Sequence, residues 1–433
     1  MQANDYALTK ANTPFQSEFQ RGWKPLLGAL VGAGCGISSI CFYTNGVFAV
    51  AIANDTGWSR GAIQIGISIM ILMAVVTAPA AGWLIDRYGP RHVALISLPL
   101  FGIGLAGLSI ADNSIGHFYL GWAVMSLLAA GTLPVTWTKV VISWFDSYRG
   151  LALGGALTGT GVAATFAPSY VVWLIDMHGW RSAYALLSAT VMVISIPAVY
   201  LLFRMPTGVV VTEKQKESAL IKACQSDLAV PKQLSGSSVR GALGDYRFWV
   251  IAIGILLAAA SISGIITSLA SILTDSGNSL SSAAKYAGVM GISVIAGRLV
   301  AGFMMDYVWA PAISALFLIM PALAALLLVT FIDDPSMVVI SALLVGLAAG
   351  AEVDLMAFLA SRYFGLKNYG ALYGGIYVFF SIGAGLAPAL FGLSYDLLGS
   401  YQFILCLAAG ASVTGSLLML TLGHYPVFND LGD

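Results

Sequence analysis

The amino-acid sequence predicts an all-α integral membrane protein with twelve transmembrane helices in two six-helix, pseudo-symmetric halves. Three observations lead to this fold class: an apolar composition, an internal repeat and twelve long apolar segments. Hydrophobic residues make up 58% of the chain and charged residues 9%, whereas roughly a quarter of an ordinary soluble domain is charged. A chain so poor in charge cannot expose most of its surface to water, so we expect it to lie in a lipid bilayer.

The internal repeat relates the two halves of the chain at an offset of 220 residues. The segment 150–179 returns as 370–399, and Gly82 and Asp86 return as Gly302 and Asp306. The positions that match within the segment are Gly150/Gly370, Gly154/Gly374, Gly155/Gly375, Ala167/Ala387, Pro168/Pro388, Asp176/Asp396 and Gly179/Gly399. A repeat of this length in such an apolar chain indicates a membrane protein made from two copies of one unit.

The apolar segments define the predicted spans, since about 20 helical residues cross a hydrocarbon core ~30 Å thick. These spans are 26–50, 62–84, 93–111, 117–143, 150–175, 182–203, 248–273, 284–305, 311–331, 336–360, 370–394 and 401–422. They imply a first bundle over 26–203 and a second over 248–422. A tail over 1–25, a polar linker over 204–247 and a tail over 423–433 complete the predicted organisation.

The lysine and arginine residues predict the orientation. With a cytoplasmic N-terminus, the inner side holds fifteen of the twenty: Lys10, Arg21, Lys24, Arg87, Arg91, Arg149, Arg204, Lys214, Lys216, Lys222, Lys232, Arg240, Arg247, Arg362 and Lys367. The outer side holds Arg60, Arg181 and Lys285. This bias predicts that both termini are cytoplasmic.

A charged, glycine-containing motif follows the second span and resembles a family signature. Gly82-Trp-Leu-Ile-Asp86-Arg87-Tyr-Gly89-Pro-Arg91 is similar to the Gly-x-x-x-Asp-Arg-x-Gly-x-Arg motif of the major facilitator superfamily. Further segments resemble the monocarboxylate transporter group and its bacterial organic-acid relatives, namely Asn45-Gly-Val-Phe, Gly57-Trp58-Ser59-Arg60, Arg149-Gly150-Leu-Ala-Leu-Gly154 and Gly179-Trp180-Arg181. The superfamily resemblance covers the whole chain, and the subgroup resemblance lies mainly in the first half.

The resemblance implies a multi-pass protein of the bacterial inner membrane. Its expected partners are a small organic acid, a proton and the lipid bilayer, with one chain as the working unit. The formal net charge of zero gives no basic excess that would argue for a nucleic-acid partner. Within the motif, Asp86 and Arg87 at a helix end can pair with helix termini of the other half when the inner side is shut. The predicted gating residues are Gly82, Asp86, Arg87, Gly89, Arg91 and Asp306. The alternative is that the motif is a static structural turn.

Four charges deep in predicted spans have no charged counterpart at the 220 offset, and they define the candidate site. Lys139 corresponds to Leu359, Arg298 to Ala78, Glu352 to Thr132 and Asp354 to Pro134. A charge at the bilayer centre costs ~3 kcal/mol on insertion scales. Each of the four is therefore expected to face an aqueous cavity or a partner.

The two unmatched cations have different expected positions. Arg298 lies near the middle of the eighth span, and its planar guanidinium suits bidentate binding of a carboxylate, so it is the predicted substrate anchor. A structural pair with Glu352 or Asp354 is the alternative. Lys139 lies near the cytoplasmic end of the fourth span, where it either reaches the interface or supplies a second cation opposite Arg298.

The two unmatched carboxylates are the predicted proton-coupling residues. Two positions apart on a helix means ~200° of rotation, so one of Glu352 and Asp354 should face the cavity and the other a neighbouring helix. Animal monocarboxylate transporters place an aspartate one turn before the arginine, where this chain has Val294. Glu352 or Asp354 is the expected replacement, and the longer side chain favours Glu352 as the proton carrier.

Other polar residues complete the predicted site. Tyr43, Asn45, Tyr373 and Tyr377 could hydrogen-bond a substrate, although intramembrane tyrosines commonly serve packing. The four histidines lie in loops or at helix ends, and no phosphate-binding glycine loop occurs. We therefore expect no metal site, no cofactor, no catalytic residues and no ATP-driven pumping.

These observations predict a proton-coupled symporter of a small organic anion, most consistent with a carboxylate, that works by alternating access. An exchanger of one anion for another is the principal alternative. Drug efflux and a non-transporting receptor are further alternatives; the cationic anchor disfavours the first, and the absence of a long soluble domain disfavours the second.

Overall fold

The computed structural model describes residues 14–58, 60–110, 114–206, 235–276 and 280–426, and almost all of them are helical. The α-helices are α1 (Pro14–Gly34), α2 (Ile37–Thr56), α3 (Arg60–Tyr88), α4 (Pro90–Gly107), α5 (Ile115–Leu128), α6 (Pro134–Trp144), α7 (Arg149–Leu202), α8 (Val239–Gly244), α9 (Tyr246–Asp275), α10 (Leu280–Tyr307), α11 (Ala310–Thr330), α12 (Pro335–Phe364), α13 (Tyr369–Leu398) and α14 (Gln402–Leu420).

The described helices account for the twelve predicted spans. Ten segments are long and apolar enough to cross a membrane. One of these, α7, holds two spans, because Gly179 breaks the helix with φ 75° and ψ 162°. The fourth span is made of the shorter helices α5 and α6. Large apolar side chains such as Val76, Ile103 and Val193 are exposed on the outside, as a lipid-facing surface requires.

The first and fourth spans are broken in mid-course, which the sequence analysis did not predict. The first changes from α1 to α2 at Cys35 and Gly36, and the fourth passes through a 3-10 turn at Ala130–Thr132 before α6 begins at Pro134. The two breaks meet, since the Ile37 N–H donates to Thr132 Oγ1 at 3.2 Å. The matching spans of the second half, α9 and α12, are continuous.

Glycines bring helices of the two halves into direct backbone contact. A Cβ atom added to Gly82 on α3 would collide with the Gly370 carbonyl oxygen on α13, and one added to Gly150 on α7 would collide with that of Gly302 on α10. The two contacts are related by the 220 offset. The internal repeat therefore builds a pair of equivalent contacts between the halves at one end of the bundle, which we call the gate end.

The segments that lead into each half also pack at the gate end. Helix α1 begins at Pro14, within the predicted tail, and Glu18 accepts the N–H groups of Ser147 and Tyr148 at 3.0 and 3.2 Å. In the second half, the Ser237 N–H donates to the Phe364 carbonyl at 2.9 Å. Most of the predicted linker, residues 207–234, lies outside the described residues.

Candidate functional site

A cavity of about 690 Å³ lies between the two halves. The first, second, fourth and fifth spans line it from one side, and the seventh, eighth, tenth and eleventh spans from the other. Its walls are mainly apolar. Arg298 and Glu352 are the charged side chains among the described residues that line it.

The cavity lies away from the gate end. Along α10 its lining residues run from Gly288 to Arg298, and Asp306 lies eight residues further, about 12 Å along the helix at 1.5 Å per residue. None of the predicted gating residues lines the cavity. Arg298 therefore lies at the cavity floor, between the open space and the gate.

Arg298 is paired with Asp354. The guanidinium Nη1 donates to Asp354 Oδ1 at 3.1 Å, and both side chains are buried, with 7% and 0% of their surfaces exposed. The pair crosses from α10 to α12. Arg298 Nε and Asp354 Oδ2 have no hydrogen-bond partner, so the pair leaves hydrogen-bonding capacity on both sides.

Glu352 and Asp354 point in different directions, as the two-residue spacing predicts. Glu352 lines the cavity, is buried, and its Oε1 has no hydrogen-bond partner. Asp354 does not line the cavity and faces the eighth span. The carboxylate that pairs with Arg298 in this chain therefore comes from a different helix, α12, while the position one turn before Arg298 on α10 is Val294.

The four polar candidates separate into two pairs. Tyr43 and Tyr377 line the cavity, and Tyr377 interacts with Ser38. Asn45 and Tyr373 are buried and do not line it. Only the first pair is therefore positioned to contact a substrate in this conformation.

The two broken helices contribute cavity residues that the sequence analysis missed. Ile37 and Ser38 at the start of α2, and Leu133 and Pro134 at the start of α6, all line the cavity. A helix N-terminus carries partial positive charge and favours anions. The signal was present in the glycines around Cys35 and in the Gly131 to Pro134 segment, because interrupted apolar segments are typical of transporter binding sites.

At the gate end, Asp86 binds the N-terminus of α13 in the other half. Its Oδ1 accepts the Gly370 N–H at 3.0 Å and its Oδ2 accepts the Ala371 N–H at 2.8 Å. Asp306 repeats this arrangement at the start of α7, where it accepts the N–H groups of Gly150 and Leu151 at 2.6 and 2.8 Å. The carboxylates complement the positive ends of the helix dipoles, so both interactions stabilise the contact between the two halves.

Lys139 lies in the gate and not in the cavity. Its Nζ pairs with Asp86 Oδ1, and the lysine side chain is 1% exposed. It neither reaches the interface nor stands opposite Arg298, the two expectations from the sequence. Position 359, which corresponds to it, is a leucine, so Asp86 has a lysine partner that Asp306 lacks.

The remaining motif residues make contacts within their own half. The Arg87 guanidinium lies over the rings of Trp83 and Tyr88, 5.3 and 5.7 Å from their centroids. Arg91 donates to the Tyr200 carbonyl at 2.7 Å. Gly89 has φ 86°, a left-handed conformation that favours glycine. Of this motif, Gly82 and Asp86 are the members that touch the second half in the described contacts.

A second set of charges crosses between the halves at the gate end, and the sequence analysis did not single it out. Arg149 is buried and donates to Asp146 Oδ1 at 2.9 Å and to Ser361 Oγ at 3.2 Å. Arg362 donates to the Asp146 carbonyl at 3.2 Å. The sequence signal for this set was Arg149, the first residue of the Arg149-Gly150-Leu-Ala-Leu-Gly154 motif.

A charged contact at the opposite end stays within the first half. Asp55 Oδ2 accepts from Trp180 Nε1 at 2.9 Å and from Arg181 Nη1 at 2.7 Å. Both hydrogen bonds lower the pKa of the Asp55 carboxyl, and the one from Trp180 has the larger effect. The described residues hold no group of three or more side chains suited to a metal ion.

The chain resembles known proteins over most of its length. The Major Facilitator Superfamily profile matches residues 31–388. An uncharacterized 38 kDa protein of Thermoproteus tenax is 28% identical over 89% of this chain and 92% of its own, and mouse monocarboxylate transporter 11 is 24% identical over 86% and 79%. The solved E. coli fucose:proton symporter FucP superposes with a TM-score of 0.66 at 14% identity, over 93% of this chain and 98% of its own.

Proposed function

This chain belongs to the Major Facilitator Superfamily, and from that premise we propose that it is a proton-coupled symporter of a small organic carboxylate. The observation that supports this most strongly is the position of Arg298. It is the cation at the floor of a mainly apolar cavity between two halves, and its guanidinium retains an unpartnered Nε beside its pair with Asp354. The name of the monocarboxylate transporter relative is consistent with this substrate class.

The carboxylate binds at Arg298 and near the start of α2. A guanidinium forms charge-assisted, bidentate hydrogen bonds with a carboxylate, and Ser38 at the first turn of α2 lines the same cavity. The apolar cavity walls pack against the hydrocarbon part of the acid. In this proposal Tyr43 and Tyr377 complete the polar contacts from opposite halves, so substrate binding involves both.

Glu352 carries the proton. It shares the cavity with Arg298, and desolvation favours the neutral form of a carboxyl group. An anion that binds together with a proton on Glu352 leaves the net charge of the cavity unchanged. An uncompensated buried charge is costly, so coupled loading is the favourable route for the anion to enter.

Movement of the two halves then carries the loaded site across the bilayer. The gate end, with Asp86 and Asp306 bound to helix N-termini of the opposite half, is the cytoplasmic side in this proposal, because the lysine and arginine bias lies there. The structure corresponds to a state with that side shut. Release inside requires both aspartate contacts to break.

The test is uptake into proteoliposomes with and without an inward pH gradient, using labelled pyruvate, succinate and benzoate. The gradient should accelerate uptake of at least one acid by the wild-type protein. Glu352→Gln mimics the protonated carboxyl and should abolish that acceleration, while counterflow exchange of substrate survives because it needs no net proton movement.

The outcomes separate the proposal from its main alternative. Exchange without any gradient effect in the wild-type protein would identify an anion exchanger. Full gradient-driven accumulation by Glu352→Gln would show that Glu352 has a structural role. Asp354→Asn would then be measured in the same assay. Binding and transport of none of the three acids would overturn the carboxylate assignment.

A further inference from the structure

Three tyrosines form a column along α13 from the cavity to the gate. Tyr369, Tyr373 and Tyr377 are spaced four residues apart, and consecutive ring centroids lie 5.6 and 6.0 Å from each other. Tyr377 lines the cavity, and the Tyr369 hydroxyl donates to Thr138 Oγ1 at 2.9 Å near the gate. At the corresponding positions the first half has Arg149, Leu153 and Leu157, so the column belongs to the second half alone.

The middle member of the column is the one whose hydroxyl has no partner. Tyr373 is 1% exposed, and its hydroxyl makes no hydrogen bond. A buried polar group left in this condition costs about 1–3 kcal/mol. Phenylalanine would fill the same space without that cost, so the hydroxyl calls for an explanation in another state of the transporter.

A complementary atom belongs to Asp354. Its Oδ2 is also buried without a partner, while Oδ1 is held by Arg298. Tyr373 lies within electrostatic reach of both Asp354 and Arg298. A hydroxyl is a donor and a carboxylate oxygen is an acceptor, so these two unsatisfied groups are chemically suited to each other.

We propose that Tyr373 is a positioning residue whose hydroxyl donates a hydrogen bond to Asp354 when a substrate carboxylate draws Arg298 away. This inference rests on the proposed role of Arg298 as the anchor. Before loading, Arg298 binds Asp354. After loading, Arg298 binds the substrate, and the Tyr373 hydroxyl donates to the Asp354 carboxylate, so the displaced charge is not left without a donor.

The exchange lowers the cost of substrate binding and links it to the gate. Breaking a buried ion pair by removing one partner is strongly unfavourable because it leaves a buried charge alone. A donor already in place offsets part of that cost. Because Tyr373 packs between Tyr377 and Tyr369, its movement toward Asp354 shifts the column that reaches Thr138 beside the gate.

Two groups on neighbouring helices interact with Asp354, namely Arg298 on α10 and Tyr373 on α13. The other titratable or charged side chains on the surrounding elements are Tyr377 on α13, Tyr43 on α2, Glu352 on its own helix and, toward the gate, Arg149 on α7 and Lys139 on α6. Lys139 is committed to Asp86 and Arg149 to Asp146 and Ser361. Glu352 faces the cavity. Apart from Arg298 itself, Tyr373 is thus the donor near Asp354 that the described residues leave unused.

The experiment compares Tyr373→Phe with the wild-type protein and with the control Tyr200→Phe, whose ring lies on the exposed surface. The Kd values of pyruvate, succinate and benzoate are measured between pH 5.5 and 8 on purified full-length protein. At high pH the displaced Asp354 stays ionised and lacks its donor, so the Tyr373→Phe variant should bind about tenfold more weakly. At low pH Asp354 can take a proton, and the difference should shrink.

The pH profile distinguishes this role from simple packing. The ratio of variant to wild-type Kd cancels the titration of the acid itself, and a packing defect would lower affinity by one factor at every pH. Thermal stability without substrate should be unchanged or higher, because the substitution removes an unsatisfied hydroxyl. A pH-independent ratio, or wild-type affinity throughout, would overturn the inference.

A double-mutant cycle supplies the second readout. In an Asp354→Asn background, Tyr373→Phe should have no further effect on the pH dependence, since the two residues act through one contact. An undiminished effect in that background would also overturn the inference. If wild-type protein binds none of the three acids, the proposed function itself fails; if it binds one and the profile is flat, the role of Tyr373 alone fails.

Discussion

At the scale of single residues, the site depends on which buried polar atoms are satisfied. Arg298, Asp354 and Glu352 are all buried, and each has an atom without a hydrogen-bond partner in the described structure. Such groups are costly unless a ligand, a proton or a change of conformation satisfies them. Their concentration at the cavity floor supports assigning binding and coupling to this place.

The anchor prediction concerns the shape of the cation. Arg298→Lys keeps the charge but loses the planar pair of donors that a carboxylate accepts. Loss of one charge-assisted hydrogen bond of about 1.5–3 kcal/mol should weaken substrate binding by roughly tenfold or more. Uptake and Kd measured in the same proteoliposome preparation check this, with Tyr200→Phe as the control.

Near-normal transport by Arg298→Lys would show that Arg298 acts only as a point charge or as a structural partner of Asp354. The two cases differ in stability. A purely structural role should lower the melting temperature without changing the Kd of the acids.

At the scale of elements, close helix contacts determine where Arg298 lies. A Cβ atom added to Gly154 on α7 would lie 2.5 Å from the Arg298 carbonyl oxygen on α10. The next residue, Gly155, faces open space with no heavy atom within 4 Å. Adjacent glycines on one helix therefore have opposite roles, and they provide a matched pair of substitutions.

We expect Gly154→Ala to separate α7 from α10 at the anchor. Overpacking of this kind costs about 1–3 kcal/mol, so the variant should show a lower melting temperature and weaker substrate binding. Gly155→Ala should match the wild type in both, because alanine has room there and a higher helix propensity. Equal effects of the two substitutions would contradict this packing.

The broken helices are the second feature at this scale. The breaks after Gly34 and before Pro134 place the first turns of α2 and α6 at the cavity. The second half has continuous helices at the matching positions and supplies the charged side chains. The two copies of the unit have thus diverged: the first half contributes helix N-termini to the cavity, and the second half contributes the charged side chains.

At the scale of the whole molecule, the two gate aspartates are equivalent by the repeat but unequal in their surroundings. Both cap a helix N-terminus of the opposite half. Asp86 in addition holds the buried Lys139, whereas the contacts of Asp306 described above are with backbone N–H groups. In the proposed mechanism, the shut state therefore depends more strongly on Asp86.

Asp86→Asn should weaken the shut-gate state and slow turnover while leaving the Kd of the substrate nearly intact. The substitution leaves Lys139 buried without its counter-charge, which costs several kcal/mol, in a contact made in only one of the two conformations. Asp306→Asn should have a smaller effect in the same direction. Substrate Kd and single-turnover efflux measured side by side check both variants.

Equal loss of binding and turnover in Asp86→Asn would mean that Asp86 supports the fold and not the gate. A larger effect from Asp306→Asn would contradict the inequality inferred from Lys139. The charge-removing double variant Asp86→Asn with Lys139→Met separates loss of the cap from the uncompensated lysine, since it should recover part of the lost turnover.

The sequence by itself determined the membrane location, the twelve spans and the duplicated halves. Composition and hydropathy report the solvent that the surface meets, and a repeat is a property of the chain whatever its fold. The four unmatched charges also followed from the sequence alone, because a scaffold charge such as Asp86 is copied as Asp306, whereas Arg298 is not copied.

Tertiary structure decided how those charges pair. Lys139 and Arg298 are both unmatched cations, yet Lys139 binds Asp86 in the gate and Arg298 binds Asp354 below the cavity. The helical spacing of Glu352 and Asp354 predicted opposite directions but not which one faces the cavity. Partners on different helices are brought together by packing between spans that are far apart in the chain. No local pattern of residues encodes which of these side chains will meet.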